Sequence, residues 1–559
     1  MATFDKVWLR HYPPGVPPEV DLHAFESLKD VFERSCPRFA DLPAFSNMGV
    51  ALSYAELDQA SRAFGAFLQH KLGLQRGDRI ALMLPNLLQY PVALFGALRA
   101  GFVVVNTNPQ YTPRELEHQL QDSGAVAIVV LENFAHTLQA VMESKPQRKL
   151  QVITTEVGDM LPIFKELVVN SVVKYVKQMV PAWHIPGATE FNAALREGKH
   201  LALAEVAVKR DDIAFLQYTG GTTGVAKGVV LTHANLVANL QQVGAWVARN
   251  LVDGEEVVVI PLPLYHVYAL LMTLVSLKLG AHAVLITNPR DLPGFIETLK
   301  QTRFSMIIGV STLYAALLDH PGFEQVDTRH LKVSSAGGMA VQRVVAQRWK
   351  ARTGVPIIEG YGLTETSPLV IANPLDIVDW TGTIGMPIPS TDAAVLDDDS
   401  NLLPVGEVGE ICIRGPQVMQ GYWNRPDETA KVFTSDGWLR TGDMGFMDER
   451  GYFKITDRKK DMIIVSGFKV FPNEVEDVVA MHPGVLEVAA IGEPDERSGE
   501  LVKIVVVRRV ASLTAEELLE HCRKNLTGYK VPKVVEFRSE PLPKSNIGKI
   551  LRRELRQPR

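Results

Sequence analysis

The stretch from Tyr218 to Gly228, YTGGTTGVAKG, combines small residues, hydroxyl groups and one positive charge. Its loop residues are Thr219, Gly220, Gly221, Thr222, Thr223 and Gly224, followed by Lys227. Glycine has no Cβ, so successive backbone N–H groups can turn toward one anion. This pattern is typical of a loop that binds phosphate groups, although flexible surface loops have a similar composition.

The loop differs from a Walker A loop, which has Gly before its Lys and Ser or Thr after it. Here Ala226 precedes Lys227 and Gly228 follows it, which argues against a P-loop kinase or ATPase. The apolar run 213–216 predicts a buried strand before the loop, and 233–243 predicts a helix after it. We therefore expect the loop to connect a strand to a helix.

Two later stretches have groups suited to binding a nucleotide. In 359–366, EGYGLTET, the glycines allow close backbone approach, Tyr361 can stack on a base and Glu365 can bind Mg²⁺. In 440–445, RTGDMG, the carboxylate of Asp443 can accept hydrogen bonds from both ribose hydroxyls. The alternatives are a polar turn after a strand and an Asx-turn, respectively.

Two further stretches suggest motion. The run 457–461, DRKKD, is either a solvated surface turn or a linker on which two domains pivot. In 543–550, PKSNIGKI, Lys549 follows a glycine near the end of the chain, where a moving domain can deliver it into a site.

The elements that must position these residues alternate along the chain. Capping boxes at Ser53–Glu56 and Thr112–Glu115 predict helix starts, and apolar runs predict strands between the helices. This alternation predicts a parallel sheet covered on both faces. From about residue 383, short strands among turns predict a small antiparallel sheet or barrel, and the remainder beyond 461 is enough for an α+β domain of about 100 residues.

The bulk composition excludes several classes of protein. At 559 residues the chain needs more than one core, and its net charge of −5 gives no basic field for nucleic acid. The cysteines, Cys36, Cys412 and Cys522, lack metal-ligand spacing and fit a reducing compartment. We expect neither a signal peptide nor a membrane span.

The segment 162–183 alternates apolar side chains with Lys165, Lys174 and Lys177. One interpretation is a helix lying on a membrane surface, with Tyr175 and Trp183 at the headgroup boundary. The other is a core helix or a dimer contact, and the sequence alone favours this second interpretation.

In this order, on one chain, these stretches resemble the adenylate-forming enzymes, the family of acyl-CoA synthetases, luciferases and peptide-synthetase adenylation domains. The resemblance covers nearly the whole chain. The segment 467–476, GFKVFPNEVE, is similar to the fatty acyl-CoA synthetase signature. The segments 85–91, 108–116 and 526–533 resemble the bacterial long-chain fatty acyl-CoA synthetases of fatty acid uptake and β-oxidation.

The resemblance implies an α/β fold with a large N-terminal domain of two doubly wound subdomains plus a small β-barrel. A small, mobile α+β C-terminal domain follows. The implied boundaries are 1–456 for the ATP and acyl-chain domain, 457–461 for the hinge linker and 462–559 for the mobile domain. The implied reaction uses ATP, Mg²⁺ and coenzyme A: a fatty acid attacks the α-phosphate, and the CoA thiol then expels AMP from the acyl-adenylate.

The resemblance also implies roles for single residues. The loop from Thr219 to Lys227 would bind the β- and γ-phosphates, with Thr219 and Glu365 at the Mg²⁺ ion. The implied adenine slot and ribose site comprise Gly337, Gly338, Gly360, Tyr361, Gly362, Thr364, Asp443 and Arg458.

For the acyl and CoA steps, the resemblance implies that Lys549 bridges the α-phosphate and the attacking carboxylate, and that His266 lies near that carboxylate. The small domain would pivot at Lys460, withdraw Lys549 and bring Gly467 toward the pantetheine tunnel. The acyl tunnel is expected between the segments starting at 267 and 310 and the Gly337 turn.

Some long-chain members gate the tunnel with a Trp a few residues after the His. Leu270 stands at that place here, which argues against such a gate. The implied location is the cytoplasm at the inner face of the membrane, and a homodimer is expected.

Three alternatives stay open. The chain is a medium-chain or aromatic acyl-CoA ligase, an acyl-AMP ligase, or a membrane-associated protein that traps fatty acids without turnover. Acyl-AMP ligases usually contain an insertion, for which 409–460 has no obvious room. A non-catalytic relative would be expected to lose Lys549, Glu365 or Asp443, and all of these are present.

Overall fold

The computed structural model describes residues 4–145, 149–219, 226–466, 468–495, 497–545 and 548–556. The fold is α/β, as predicted, with two large sheets, a small antiparallel sheet and a separate C-terminal sheet. The α-helices are α1 Leu28–Arg38, α2 Tyr54–His70, α3 Gln89–Arg99, α4 Pro113–Ser123, α5 Ala135–Ser144, α6 Ile163–Ser171, α7 Phe191–Gly198, α8 His233–Val247, α9 Val267–Leu279, α10 Leu292–Gln301, α11 Ser311–Asp319, α12 Arg343–Thr353, α13 Pro426–Val432, α14 Pro472–Ala480, α15 Ala515–Asn525 and α16 Arg552–Leu555.

The strands follow the predicted alternation closely. They are β1 Pro43–Asn47, β2 Val50–Ser53, β3 Arg79–Met83, β4 Val103–Asn106, β5 Ala127–Leu131, β6 Gln151–Thr155, β7 Thr189–Glu190, β8 Ile213–Thr219, β9 Lys227–Thr232, β10 Val257–Ile260, β11 His282–Leu285, β12 Met306–Gly309, β13 Val333–Gly337, β14 Ile357–Gly362, β15 Leu369–Ala372, β16 Met386–Pro387, β17 Asp392–Leu396, β18 Gly409–Arg414, β19 Gly421–Tyr422, β20 Leu439–Met447, β21 Phe453–Arg458, β22 Ile463–Val465, β23 Phe468–Val470, β24 Val485–Asp495, β25 Gly499–Arg508 and β26 Val534–Arg538.

The first large sheet has the order β19-β9-β8-β4-β3-β5-β6-β7, and its pairs from β8 to β7 are parallel. Its strands are buried on both faces, which explains their nearly continuous apolar sequences. Along β3, Ile80 and Leu82 pack in one core with α2 and α3, whereas Ala81 and Met83 pack in another with α4 and α5.

The second large sheet has the order β16-β15-β14-β13-β12-β10-β11-β1-β2, with parallel pairing from β14 to β1. One face shares the largest core with the first sheet, so α8 and α9 lie in the layer between the two sheets. The other face packs on α10, α11 and α12, where Trp349 is fully buried.

The expected connection after the phosphate loop is wrong. The loop joins β8 to the antiparallel strand β9, with Thr219 opposite Lys227, and α8 begins only at His233. Val229, Val230 and Leu231 explain the difference, because this short apolar run completes a hairpin before the helix starts.

The last third of the chain forms two smaller sheets. Strands β17, β18, β20 and β21 form an antiparallel sheet, which matches the expected small β element. Beyond the linker, β22 to β26 form a sheet, and α14 to α16 pack on it. This part of the chain has hydrophobic cores of its own, as an α+β domain requires.

Both predicted capping boxes are present, with Ser53 and Thr112 each accepting from a backbone N–H three residues later. The segment 162–183 forms α6 and a π-helical turn, Val172–Val176, in which no residue is buried. The core-helix interpretation of this segment is therefore wrong. Among the described residues, no helix is both long and apolar enough to cross a membrane.

Candidate active site

One cavity of about 1630 Å³ brings together the predicted site residues that the structure describes. Its walls include Thr219, Lys227, His266, Gly337, Gly338, Gly360, Tyr361, Gly362, Thr364, Glu365, Asp443, Arg458 and Lys549. Gly220, Gly221, Thr222, Thr223, Gly224 and Gly467 lie outside the described residues. Positions scattered over more than 300 residues of sequence therefore share one site.

Sheet topology explains this convergence. Thr219 ends β8 of the first large sheet, whereas Gly337 and Gly362 end β13 and β14 of the second, so strand ends from both sheets line the cavity. In an open parallel sheet, loops at the carboxyl ends of strands meet at one edge, where ligands bind. His266 follows β10 and occupies the position just before α9, which places it at the carboxyl edge of the second large sheet.

The glycines at this edge serve two different purposes. Gly338 has a φ of +80°, a backbone conformation that side chains disfavour. Gly362 is required by packing, because a Cβ there would lie 1.8 Å from the carbonyl oxygen of Pro368. Close approach to a ligand is therefore not the reason for every glycine in the 359–366 stretch.

The carboxylate of Asp443 is held by two side chains. The Tyr361 hydroxyl donates to Oδ2 at 2.6 Å, and Arg458 Nε lies 3.0 Å from Oδ1. Asp443 is only 3% exposed, and its negative charge raises the pKa of Arg458. The group expected to bind ribose is thus fixed in orientation by the residue expected to contact the base.

Glu365 and Lys227 both contact Tyr422. The Tyr422 hydroxyl donates to Glu365 Oε1 at 2.8 Å, and Lys227 Nζ lies 5.1 Å from the centre of the Tyr422 ring. Lys227 also forms an ion pair with Glu428, which lowers the pKa of that carboxyl to about 2. Tyr422 therefore positions a carboxylate and a cation at the same end of the cavity.

Lys549 enters the cavity from the C-terminal domain. Its backbone N–H donates to Ser545 Oγ at 3.2 Å and its carbonyl accepts from Ser545 N at 2.7 Å, which closes a tight loop. Burial, with Arg458 nearby, lowers the pKa of its ammonium to about 8. A Cβ on Gly548 would lie 2.7 Å from Thr312 Oγ1, so this loop contacts α11 directly.

The part of the cavity beyond His266 is apolar and follows α9. Tyr268, Leu271, Met272 and Val275 line it from one face of α9, and helix spacing places them in one stripe. Burial lowers the pKa of His266 to about 4, so the imidazole is neutral at pH 7. The polar residues that are expected to bind a nucleotide and the apolar channel therefore meet at the His266 end of α9.

The pattern of the family described as AMP-binding enzyme matches residues 32–423, and that of its C-terminal domain matches residues 474–549. The chain belongs to the AMP-binding enzyme family. The first match covers the two large sheets and their edge of functional residues, and the second ends at Lys549.

Curated relatives in this family match over the full chain. A long-chain-fatty-acid–CoA ligase of Escherichia coli O6:H1 is 56% identical over 99% of this chain and 98% of its own length. A ligase of the same name from Bacillus subtilis is 40% identical over 98% of this chain and 97% of its own.

Solved structures in the family have the same architecture of a large N-terminal and a small C-terminal domain. An anthranilate CoA ligase in complex with anthranoyl-AMP has a TM-score of 0.83 and 25% identity, covering 95% of this chain and 97% of its own. ATP-bound MatB from Rhodopseudomonas palustris has a TM-score of 0.78 and 29% identity, over 94% and 98% of the two chains.

Sequence reasoning missed the second wall of the apolar channel. This wall consists of Val243, Trp246 and Val247 on α8. The segments that were expected to line the channel, α9, α11 and the Gly337 turn, do line it. Leu270, at the place of the Trp seen in some long-chain relatives, is fully buried and does not line the cavity. α9 is apolar on nearly every side, and α8 buries polar side chains such as Asn239 and Gln242 among apolar ones, so periodicity cannot show which stripe faces the channel.

Sequence reasoning also missed Arg552, which lies between the linker and the C-terminal domain. Its guanidinium is 3.0 Å from Asp457 and 2.7 Å from Glu476, and it also bonds to Asn473. Asp457 is 1% exposed, and Arg458 pairs with Asp443, so this part of the charged run is not a solvated turn.

Proposed function

We propose that this protein is an AMP-forming long-chain-fatty-acid–CoA ligase that activates fatty acids through an acyl-adenylate. The observation that supports this most is the continuity of one cavity from Asp443 and Lys549 to the apolar stripe on α9. A carboxylate at His266 would face the nucleotide end while its alkyl chain lies between α8 and α9. The product feeds fatty acid degradation by β-oxidation.

The nucleotide end supplies a fixed set of polar groups. Asp443 accepts hydrogen bonds from the ribose hydroxyls, with Tyr361 and Arg458 holding its carboxylate. Gly337, Gly338 and the backbone from Gly360 to Thr364 line the slot for adenine. Because these groups are oriented before ATP arrives, little reorganisation opposes binding.

The phosphate end fits Mg²⁺ bound together with ATP. No cluster of three or more His, Cys, Asp or Glu side chains suited to a metal occurs among the described residues. Mg²⁺ typically binds one or two carboxylates plus substrate phosphates, and Glu365 with the hydroxyl of Thr219 provides such a partial set. When bound, the ion neutralises phosphate charge; Lys227 contributes a further positive charge beside it.

Lys549 and His266 have complementary roles in adenylation. The Lys549 ammonium stabilises the negative charge that develops as the carboxylate attacks the α-phosphate. His266 is neutral because of its low pKa, so it can donate one N–H to the substrate without adding charge. This division places the ammonium of Lys549, carried by the C-terminal domain, where two anions meet.

The second half-reaction requires Lys549 to leave. We place the domain boundaries at 1–456 and 462–559, with the pivot at Lys460 in the linker 457–461. In the present arrangement Lys549 lines the cavity, whereas no described residue of β22 or β23 does. Rotation would exchange the Lys549 loop for β22 and β23, the strands on either side of position 467. The CoA thiol would then attack the acyl carbon, break its bond to the phosphate oxygen and release AMP.

A lipid surface is the proposed partner of the exposed segment 162–183. Its exposed apolar side chains are Ile163, Phe164, Leu167, Val168, Tyr175, Val176 and Met179. They account for seven of the 20 large apolar side chains that are exposed in the described chain. Lys165 and Lys177 add positive charge suited to anionic lipid, so we place the protein at the inner face of the cytoplasmic membrane.

The decisive experiment measures CoA-thioester formation with ATP and Mg²⁺ across carboxylates from C4 to C18, together with AMP and pyrophosphate release. Maximal turnover between about C12 and C18 is expected, because each buried methylene adds about 0.8 kcal/mol. A maximum at short or aromatic acids would overturn the substrate proposal. Acyl-AMP without thioester would identify an acyl-AMP ligase, and binding without turnover a trapping protein.

A further inference from the structure

Leu251 lines the main cavity beside the apolar residues of α8. A second cavity of about 410 Å³ lies beyond it, lined in part by Gly244, Ala248, Lys278 and Leu279. Among the described residues, Leu251 is the one that lines both cavities. Its side chain is therefore the partition between the acyl channel and additional empty space.

We propose that Leu251 sets the maximum acyl chain length by closing the channel in front of this second cavity. The inference rests on the proposed acyl-CoA ligase function and assigns its chain-length limit to one side chain. Leucine is large enough to block a methylene chain, whereas alanine at the same place would join the two spaces.

The backbone around Leu251 is well anchored, so its side chain rather than a mobile loop forms the wall. Its N–H donates to the Val247 carbonyl at 3.2 Å, which continues the end of α8. The next N–H, of Val252, donates to Glu256 Oε1 at 2.7 Å, and Gly254 N–H donates to the Leu279 carbonyl at 2.7 Å. These bonds fix the turn after α8 against the end of α9.

The position of the wall agrees with a long-chain substrate. His266 precedes α9, and Lys278 lies in its last turn, 12 residues later, where it lines the second cavity. At about 1.5 Å per residue this helix length is about 18 Å. A tetrahedral carbon chain with bonds of about 1.52 Å at about 111° advances roughly 1.25 Å per bond. The channel thus holds about 14 carbon–carbon bonds, close to a C14 to C16 chain.

The space beyond the wall is mixed in character. Gly244, Ala248 and Leu279 give it apolar surface, whereas Arg34, Arg38, Asp253 and Lys278 give it charge. A Cβ on Gly244 would lie 2.7 Å from Lys278 Nζ, so charge and apolar surface adjoin there. An apolar chain that passes the wall gains the first of these surfaces. A chain much longer than that would meet the charged groups, which gives an opened channel its own limit.

The test compares kcat/KM for fatty acids from C8 to C22 in the wild type, Leu251→Ala, Leu251→Trp and Leu279→Ala. Each value is divided by that for C8, which is too short to reach Leu251. Leu251→Ala is expected to raise the C20 ratio at least tenfold. Leu251→Trp is expected to lower the C16 ratio by about fourfold for each methylene displaced.

Leu279→Ala is the matched control, because it enlarges the second cavity without opening the partition; its length profile should equal that of the wild type. If Leu251→Ala does not fold, the shortening caused by Leu251→Trp still decides the question. Unchanged profiles in both Leu251 variants would overturn the inference while leaving the ligase function intact. Absence of acyl-CoA formation by the wild type with every chain would instead overturn the proposed function.

Discussion

Arg552 Nη1 lies 3.0 Å from Asp457 Oδ1, and this ion pair connects the two sides of the predicted pivot Lys460. Asp457 belongs to β21, whereas Arg552 begins α16 in the C-terminal domain. The same carboxylate also accepts from the backbone N–H of Asn473 at 2.8 Å. A rotation about Lys460 must therefore break contacts that stabilise the present arrangement.

We expect Asp457→Asn to weaken this arrangement. Removing one charge of a buried pair leaves the other unpaired, which costs about 3–5 kcal/mol when both are fully buried. Because Glu476 still pairs with Arg552, we expect a smaller effect, about tenfold slower adenylation. The measurement is pyrophosphate release, compared with thioester formation from supplied acyl-AMP.

The thioester half-reaction should be affected less than adenylation, since it uses the rotated arrangement. Lys524→Met is a suitable control, because Lys524 forms an exposed pair with Glu520 and such pairs contribute little. An equal loss in both half-reactions would contradict the role assigned to the Asp457–Arg552 pair.

The pH dependence of adenylation should report the Lys549 ammonium. Its pKa is lowered to about 8 in the docked position, so the lysine is charged below about pH 8 and loses its charge above it. Deprotonation favours docking of the buried lysine but removes the charge that the transition state needs. We therefore expect kcat/KM for ATP-dependent adenylation to fall above about pH 8.

Lys549→Arg separates this effect from other titrations, because a guanidinium remains charged throughout the range. Its absolute rate is expected to be lower, since the planar group cannot replace a compact ammonium in the same loop. In this variant, the fall of kcat/KM above about pH 8, its alkaline limb, should disappear. An alkaline limb that persists in this variant would assign the titration to another group.

Asp443 and Tyr361 should differ in their effects on ATP binding. Asp443→Ala removes the proposed acceptor for the ribose hydroxyls, and hydrogen bonds to charged groups contribute about 1.5–3 kcal/mol, or roughly 10- to 150-fold in affinity. Tyr361→Phe removes only the 2.6 Å bond that orients the carboxylate, so a smaller increase in Kd is expected.

Calorimetric titration with ATP and with 2′,3′-dideoxy-ATP measures the contrast. The Asp443→Ala protein should no longer distinguish the two nucleotides, whereas Tyr361→Phe should still do so. If Asp443→Ala continued to prefer ATP, the ribose assignment would be wrong.

Membrane contact should depend on the apolar face of α6. Phe164 and Leu167 are 82% and 62% exposed, so replacing both with Glu introduces charge without disturbing the core. We expect binding to vesicles with about 30% anionic lipid to fall at least tenfold, since buried apolar area and positive charge together determine interfacial affinity. Sedimentation with vesicles provides the measurement.

Leu402→Glu is a matched control, because Leu402 is also exposed, at 44%, but lies far along the chain from the segment. Sedimentation without vesicles, at increasing protein concentration, tests the expected homodimer. If the double variant dissociated a dimer and bound vesicles normally, the segment would be a protein interface rather than a lipid contact.

Hinge motion is tested by Lys460→Pro, which restricts φ at the proposed pivot. We expect adenylation to be retained within about fivefold and thioester formation to fall by more than tenfold, because only the second step needs the rotation. Single-turnover measurements of acyl-AMP and acyl-CoA separate the steps. Thioester formation as fast as adenylation would place the pivot elsewhere.

The sequence by itself determined much of the local structure, and its motifs supplied the residues that we propose as reacting groups. Capping boxes at Ser53 and Thr112, apolar runs such as 125–131 and the glycine-rich stretches depend on neighbouring residues, so pattern and propensity suffice to find them. The one wrong connection, at the phosphate loop, arose where a run of three apolar residues was too short to predict β9.

The tertiary structure decided what depends on separation in sequence. The approach of Lys549 to Asp443 and the pairing of Arg552 with Asp457 join segments about 100 residues apart, and no local pattern encodes such contacts. The channel between α8 and α9 is a similar case, because both helices are buried on most sides and only packing decides which of their residues face the channel. The tertiary structure also decided that 162–183 is exposed. The same amphipathic sequence fits a helix that packs in a core and a helix that binds a partner surface.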